Sequence, residues 1–413
     1  MQEVIVIGGG VIGLTSCWWL LEAGHGVTLL ERETALGSAA SFRNGGQLSY
    51  RYVAPLADQG VPLKALAWLL QADGPLRFRP EADFRQWRWL ARFLANCRAD
   101  LNRTTTARLL ALGELSRCAM AELALTLPLD VFSWRDAGKM VVYRSPKTFK
   151  AARARLDAHA TDEVLSAAEC VAREPALMDA QPLLAGGIFN PGEAVADCHA
   201  FCQALAARLA AHPRFRGVLH GDARRIVVDR GKVSALDTSA GMLTAHAYVL
   251  AAGTQSRDLA ASAGIDLPLY PLKGYSLSAP IRPGDCAPHI SVTDVEHKVL
   301  YARIGDALRV AAMVDLVGED LTLDPRRVAS LERQARPTMP RGADYARMVA
   351  WAGLRPATAD GAPIIGATRY PNLWLNVGQG ALGFTFACGS ASLLADCVSG
   401  KAPPFEMDGL TLR

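Results

Sequence analysis

The chain opens with four β-branched residues, Val4 to Ile7, a run apolar enough for a strand buried on both faces. Three glycines, Gly8 to Gly10, interrupt it, and residues 11 to 23 continue as an apolar stretch that predicts a helix ending at Gly24. Val27 to Leu30 repeats the buried-strand pattern and is closed by Glu31. Two more such runs lie far along the chain, Tyr248 to Ala251 and Leu373 to Val377, the second leading into a glycine turn and an apolar helix. Residues 269 to 279 and 299 to 313 alternate partially and read as sheet strands. Arg224 to Thr238 reads as a hairpin turned at Asp229 to Gly231, and residues 63 to 98 as a pair of amphipathic helices. No internal repeat or low-complexity segment interrupts this succession.

The first strand, helix and second strand enclose a GxGxxG turn made by Gly8, Gly10 and Gly13, and Glu31 follows at the distance where an acidic residue holds a ribose. The glycines allow a tight turn, close backbone approach to a pyrophosphate and close helix-strand packing, and the helix N-terminus favours the phosphate charge. A bound dinucleotide follows, with Gly8, Gly10, Val11, Ile12 and Gly13 at its phosphates and Glu31 and Arg32 near its ribose. An acidic residue there implies an unmodified 2′-hydroxyl, so FAD or NAD rather than NADP.

Nicotinamide enzymes usually continue this unit with more of the same alternation. Here residues 31 to 52 run ERETALGSAASFRNGGQLSYRY, a polar loop suited to lying along an extended cofactor, with Ser38, Ser41, Asn44, Gly45, Gly46, Gln47 and Leu48 as candidate contacts. The later strand ends at Ala252 and Gly253, which can approach the same nucleotide. The glycine turn after Leu373 to Val377 offers Gln379, Gly380, Ala381, Leu382, Gly383, Phe384 and Thr385, a helix N-terminus able to stabilise negative charge at the pyrimidine end of a flavin.

At these residues the chain resembles the flavin-dependent D-amino acid dehydrogenases, within the wider family of D-amino acid, glycine and sarcosine oxidases. The resemblance rests on five separated motifs in order: VIVIGGGVIG, NGGQLS with VAPLADQGVPLKAL, YPLKGYSL, GLRPATADGAPIIG and LWLNVGQGALGFTFACGS. It implies an α/β (mixed α+β) fold: a Rossmann-type FAD-binding domain with a parallel sheet, interleaved with a substrate domain built on an antiparallel sheet plus helices. Because both ends of the chain carry flavin motifs, residues 1–60, 150–265 and 345–413 are assigned to the FAD-binding domain, and 61–149 and 266–344 to the substrate domain.

The same resemblance implies oxidative deamination of D-amino acids to 2-oxo acids and ammonia, by hydride transfer from the α-carbon to the flavin N5, with electrons passed to a quinone or another non-oxygen acceptor. Secondary or cyclic amino acids, and a non-catalytic flavoprotein subunit, are the competing readings. Arg355 matches the family position that holds the substrate carboxylate, which a planar guanidinium binds through two parallel hydrogen bonds. The competing reading of Arg355 is a salt bridge to Asp360 or another carboxylate. Tyr301 and Tyr52, then Tyr275, are the tyrosines placed to assist the clamp, each also readable as an ordinary core or surface tyrosine. Gly353, in the same motif as Arg355, is a further candidate cofactor contact, and Lys273 could touch the flavin or a loop carboxylate, or sit solvated at a strand end. The chain departs from the family at Gln379, where histidine is frequent, and at Phe42 and Arg43, where small residues are usual.

Composition excludes other classes. A net charge of +4 over 413 residues carries no nucleic-acid footprint. Glu3 in place of a basic start, and the glycines after Ile7, argue against a signal peptide in the apolar N-terminus, so a cytoplasmic protein is expected. The nine cysteines are odd in number and lack CxxC spacing, which fits reduced, packed thiols. Cys198 and Cys202, with His199 between, are better explained by packing than by a metal, and none of the eight histidines forms a catalytic constellation. Residues 63–98 interleave Trp68, Trp87 and Trp89 with Arg77, Arg79, Arg85, Arg88 and Arg92, a pattern suited either to core packing or to docking on the inner face of a bacterial membrane beside a quinone. The oligomeric state is left open.

Overall fold

The computed structural model describes residues 1–71, 73–156 and 161–412; His159 and the other residues 157–160 of the segment assigned to the FAD-binding domain lie outside them, as does Ala72 of the 63–98 segment. Two sheets organise the chain. The smaller has six strands in the order Ile364–Ala367, Leu373–Val377, Ala247–Leu250, Glu3–Ile7, Gly26–Glu31 and Phe215–His220. All neighbours are parallel except the first pair. The near-continuous apolar runs therefore belong where both faces are covered. Helices Val11–Glu22 and Gly383–Val398 pack on one face, burying Leu14, Leu20, Phe386 and Leu394, and helix Ser256–Ser262 with the three-stranded sheet of residues 223–243 covers the other. In that small sheet the expected hairpin turns at Arg230 and Gly231, both with left-handed backbone (φ 46° and 78°).

The larger sheet has nine strands. Its path runs Val349–Thr358, Leu269–Pro280, Ala307–Leu316, Val299–Ile304, Ser291–Asp294, Lys139–Tyr143, Gly186–Asn190 and Glu163–Leu165, with Leu76–Phe78 added beside Ala307–Leu316. It is antiparallel apart from two parallel pairs, Ser291–Asp294 with Lys139–Tyr143 and Leu76–Phe78 with Ala307–Leu316.

Hydrogen bonding redraws the expected boundaries. Glu163–Leu165, Gly186–Asn190 and Val349–Thr358, assigned from the sequence to the cofactor domain, are strands of the large sheet. Conversely, helix Ala99–Ala124, assigned to the substrate domain, packs on Gly383–Val398 in the core of the nucleotide side. Ser116 Oγ donates to Thr385 O (2.6 Å) and accepts from Gly389 N (3.0 Å), and a Cβ on Gly389 would come within 2.6 Å of Ser116 N. Sheet membership follows pairing between distant segments, which continuity along the chain does not reveal.

Candidate flavin and substrate site

The nucleotide turn is close-packed on one side and open on the other. A Cβ on Gly13 would lie 1.7 Å from Gly8 O, and one on Gly8 (φ 111°) would lie 2.6 Å from Ala251 O, so strand, turn and helix meet without side chains between them. At Gly10 a Cβ would meet nothing nearer than Ser41 Oγ at 3.6 Å, and at Gly253 and Gly383 nothing within 4 Å. Helix Val11–Glu22 has no side-chain cap from Gly10; Val11 N donates to Ser41 Oγ (3.1 Å). Helix Gly383–Val398 is likewise uncapped at Leu382. Two uncapped helix N-termini and open glycine faces form a cradle for an anionic, extended ligand. Glu31 accepts from Gly9 N and Glu33 N (the latter 2.8 Å), which fixes its carboxylate beside the turn; Arg32 points to solvent and pairs with Glu33.

The loop from Ser38 to Leu48 is strapped to the large sheet. Ser276 Oγ donates to Arg43 O (2.8 Å) and Arg309 Nη1 to Asn44 O (2.7 Å). Gly46 N donates to Asn44 Oδ1 (3.0 Å), Gln47 Nε2 donates to Ser291 Oγ, and Gly45 lies against Leu300 and Ala311. Leu48 pairs with Ala194, and Ser49 N donates to Thr385 Oγ1 (3.0 Å) in the first turn of the C-terminal helix. Gln379, buried, donates to Asn376 Oδ1 (2.6 Å), and Arg43 lies over the Phe42 ring. Cys202 packs under the same loop, where a Cβ on Gly37 would come within 2.8 Å of it. The cradle gathers Gly8, Gly10, Val11, Ile12, Gly13, Glu31, Ser41, the 44–48 loop, Ala252, Gly253 and residues 379–385, so the residues present fit FAD.

Arg355 sits on strand Val349–Thr358, opposite Leu272. Nη1 donates to Met313 O (2.9 Å), and the guanidinium lies over Gly274, whose Cβ would be 2.3 Å from Nη2. Met313 has φ 71° at a bulge where Ala307–Leu316 slips against Leu269–Pro280, which turns its carbonyl toward the arginine. Among the described residues Arg355 forms no ion pair; burial lowers its affinity for its proton, and Asp315 acts on it only at longer range. Asp360 is engaged in its own turn, accepting from Ala362 N (3.1 Å). A half-buried guanidinium with one carbonyl partner retains N–H donors for an incoming carboxylate.

The FAD-dependent oxidoreductase model matches residues 3–397. The chain belongs to this family. A D-amino acid dehydrogenase 2 of Pseudomonas aeruginosa is 50% identical over 413 residues, covering all of this chain and 98% of the relative, and a D-amino acid dehydrogenase of Vibrio cholerae is 39% identical over 416 residues, covering 100% and 98%. Among solved structures, a glycine oxidase from Geobacillus kaustophilus matches with a TM-score of 0.76 at 21% identity, covering 100% of this chain and 99% of that one. With these relatives, the chain is an FAD-dependent oxidoreductase of amino acids.

Three expectations for the site are corrected by strand alternation. Leu272, Gly274 and Ser276 share the face of Arg355 and Gly353, so Lys273 and Tyr275 point to the opposite face. Tyr275 is buried there beside Lys273 and Asp315, and burial pushes its hydroxyl up to about 12. Tyr301, paired with Val310, is wholly buried in the core on that same far side, near Thr338. Neither tyrosine reaches the clamp. Lys273 is not a solvated strand end: it is buried, donates to Thr322 O and lies 4.0 Å from the loop carboxylate of Asp320. Tyr52 stays on the cofactor side, half exposed, with Lys139 Nζ 4.0 Å from its ring centroid.

Sequence reasoning missed Gly274, Met313, Trp351 and Lys139. Gly274 stood in a recognised motif, and the Trp351 ring lies over Gly353, where a Cβ would approach it to 2.1 Å. The arginines of residues 63–98 also change meaning: Arg77, Arg79, Arg85 and Arg88 pair with Asp324, Asp320, Asp258 and Asp266, and Trp89 Nε1 donates to Ala357 O (2.9 Å). Helix Phe84–Asn96 therefore belongs to the fold, whereas helix Val61–Leu69 buries none of its residues.

Proposed function

We propose that the chain deaminates D-amino acids oxidatively to 2-oxo acids and ammonia, with Arg355 holding the substrate carboxylate and the electrons leaving to a quinone. The observation that carries this reading is the half-buried guanidinium of Arg355, without an ion pair among the described residues, set over Gly274 on the sheet face that meets the 43–46 loop. Bound FAD supplies the two-electron acceptor for the α-hydrogen. The chain's own part is orientation: two parallel hydrogen bonds from the fork fix the substrate carboxylate, and the missing side chains at Gly274 and Gly353 make room for the Arg355 guanidinium and the Trp351 ring. The glycines of the cradle and Glu31 would hold the cofactor.

The reading is tested by adding D- and L-amino acids, D-proline and glycine to the holoenzyme without air. Bleaching of the flavin by primary D-amino acids supports it; bleaching only by secondary amines or glycine, or by none, refutes it. Arg355→Ala is expected to keep its flavin and to raise KM by about 100-fold, from the loss of charge-assisted bonds. Peroxide formation in air at the rate of turnover would refute the quinone as acceptor.

The quinone reading includes a cytoplasmic protein peripheral to the membrane, and its support is the helix Val61–Leu69. Leu63 and Leu66 are 78% and 63% exposed and Leu70 just beyond is 89% exposed, apolar side chains on one helix that suit a lipid boundary.

A further inference from the structure

Trp351 is a large aromatic residue that the core does not use. Its strand, Val349–Thr358, lies at one edge of the large sheet, and its neighbours Ala350 and Ala352 pack into the apolar cluster of Tyr275 and Tyr301. Alternation turns Trp351 the other way, onto the face of Arg355. There it stays half-buried and joins none of the buried apolar clusters among the described residues. An indole held partly in the open offers a broad apolar surface to whatever enters beside it.

The side chains along this face follow a definite order. At one end Tyr270, Leu272, Ala357 and Ala359 close an apolar cluster around Trp89. Arg355 comes next and reaches over Gly274, while the Trp351 ring reaches over Gly353 from the opposite direction. A Cβ on Gly353 would meet Cη2 at 2.1 Å, Cζ2 at 2.7 Å and Cζ3 at 2.8 Å, so it is the benzo edge of the indole that fills this position. Gly274 and Gly353 are directly paired, which puts the two side-chain positions about 5 Å apart. The guanidinium and the benzo edge are therefore neighbours, and neither glycine supplies a Cβ between them. Beyond Trp351 comes the cofactor loop, because Ser276, its partner across the strands, donates from Oγ to Arg43 O (2.8 Å).

A carboxylate seated on Arg355 has the Trp89 cluster at its back, and the Met313 carbonyl already occupies Nη1. The rest of such a ligand extends toward the loop and passes the indole. We propose, resting on the reading of Arg355 as the carboxylate clamp, that Trp351 determines side-chain specificity: its benzo edge is the apolar wall against which the substrate side chain packs. The pocket then favours amino acids with branched apolar side chains, because a methyl group covers little of the ring and a four-carbon side chain covers much more.

The test compares second-order rates of anaerobic flavin bleaching by D-leucine and D-alanine, read as a ratio. In Trp351→Ala the leucine-to-alanine ratio should fall by about 10- to 100-fold, the scale on which hydrophobic pockets sort side chains. Trp351→Phe, which keeps an aromatic ring of shorter reach, should restore part of it. Gly353→Ala carries the test if Trp351→Ala fails to fold: Gly353 has no positive φ, and the new Cβ must push the ring out of its place, so the ratio should fall there too. A ratio unmoved or raised in either folded variant overturns the proposal, as does loss of FAD with the ratio kept, which would make the indole a cofactor contact. Failure of the deamination reading is distinct, since it appears in the wild type as no bleaching by either D-amino acid.

A second readout needs no turnover. 4-Methylpentanoate and propanoate are leucine and alanine without the amine, and each can be titrated into the holoenzyme and followed by the shift of the flavin band. The wild type should bind the first more tightly by about 10-fold, and Trp351→Ala should bind the two alike. Equal binding by the wild type, or a preference that survives in Trp351→Ala, overturns the proposal.

Discussion

Replacing Gly274 by alanine tests the placement of Arg355 more directly than removing the arginine itself. The new Cβ would lie 2.3 Å from Nη2 and 2.5 Å from Cζ and Nη1, distances no real carbon tolerates, so the guanidinium must move. Gly274 does not have a positive φ, and alanine within a strand is better tolerated than glycine by about 0.5–1 kcal/mol, so the backbone itself has no reason to rearrange. The damage therefore falls on the fork. If its shift forfeits one of the two charge-assisted bonds to the substrate carboxylate, the loss is about 1.5–3 kcal/mol, or roughly a 10- to 150-fold weaker substrate affinity. Stopped-flow bleaching over a range of D-amino acid concentrations measures that affinity, and the visible flavin band measures cofactor content, which should be unchanged. The effect should also be non-additive with Arg355→Ala, because both changes remove the same interaction. Wild-type affinity in Gly274→Ala, or full additivity with Arg355→Ala, would show that the guanidinium is not held over Gly274.

Two further expectations concern the cofactor and the surface. Gly13→Ala places a Cβ 1.7 Å from Gly8 O, a backbone atom that cannot swing aside, so the purified variant should carry little or no FAD; a full complement by absorbance would contradict the close-packed turn. Replacing Leu63, Leu66 and Leu70 by serine removes exposed apolar surface without touching the core, so Tm should hold while flotation with liposomes falls; equal flotation of both proteins, or none by the wild type, would remove the helix as a dock.

The nucleotide unit was legible because its parts are consecutive: Val4–Ile7, the glycine turn, the helix and Glu31 need only local propensity and a short right-handed crossover to find one another. The strand Leu373–Val377 and the hairpin at Arg230 and Gly231 were legible for the same reason, each carrying its pattern or turn chemistry within a few residues. Arg355 could be singled out because a guanidinium beside an apolar run demands an anion wherever it folds.

Which side of a strand a residue faces is a different kind of information. Tyr275 and Tyr301 sit in the right strands, yet pairing with Ala352 and Val310 turns both rings away from Arg355, and a shift of one residue would have reversed this. The bulge at Met313, which aims a carbonyl at Arg355, arises from the mismatch between two strands and belongs to neither alone. Lys139 looks like an ordinary lysine at the head of KMVVY until a parallel pairing with Ser291 buries it under the cofactor loop. By itself, the sequence determined the nucleotide-binding unit and the family. The tertiary structure decided which side chains share the pocket, because register and burial are set by partners far away in the chain, and those partners set the cost of every charge.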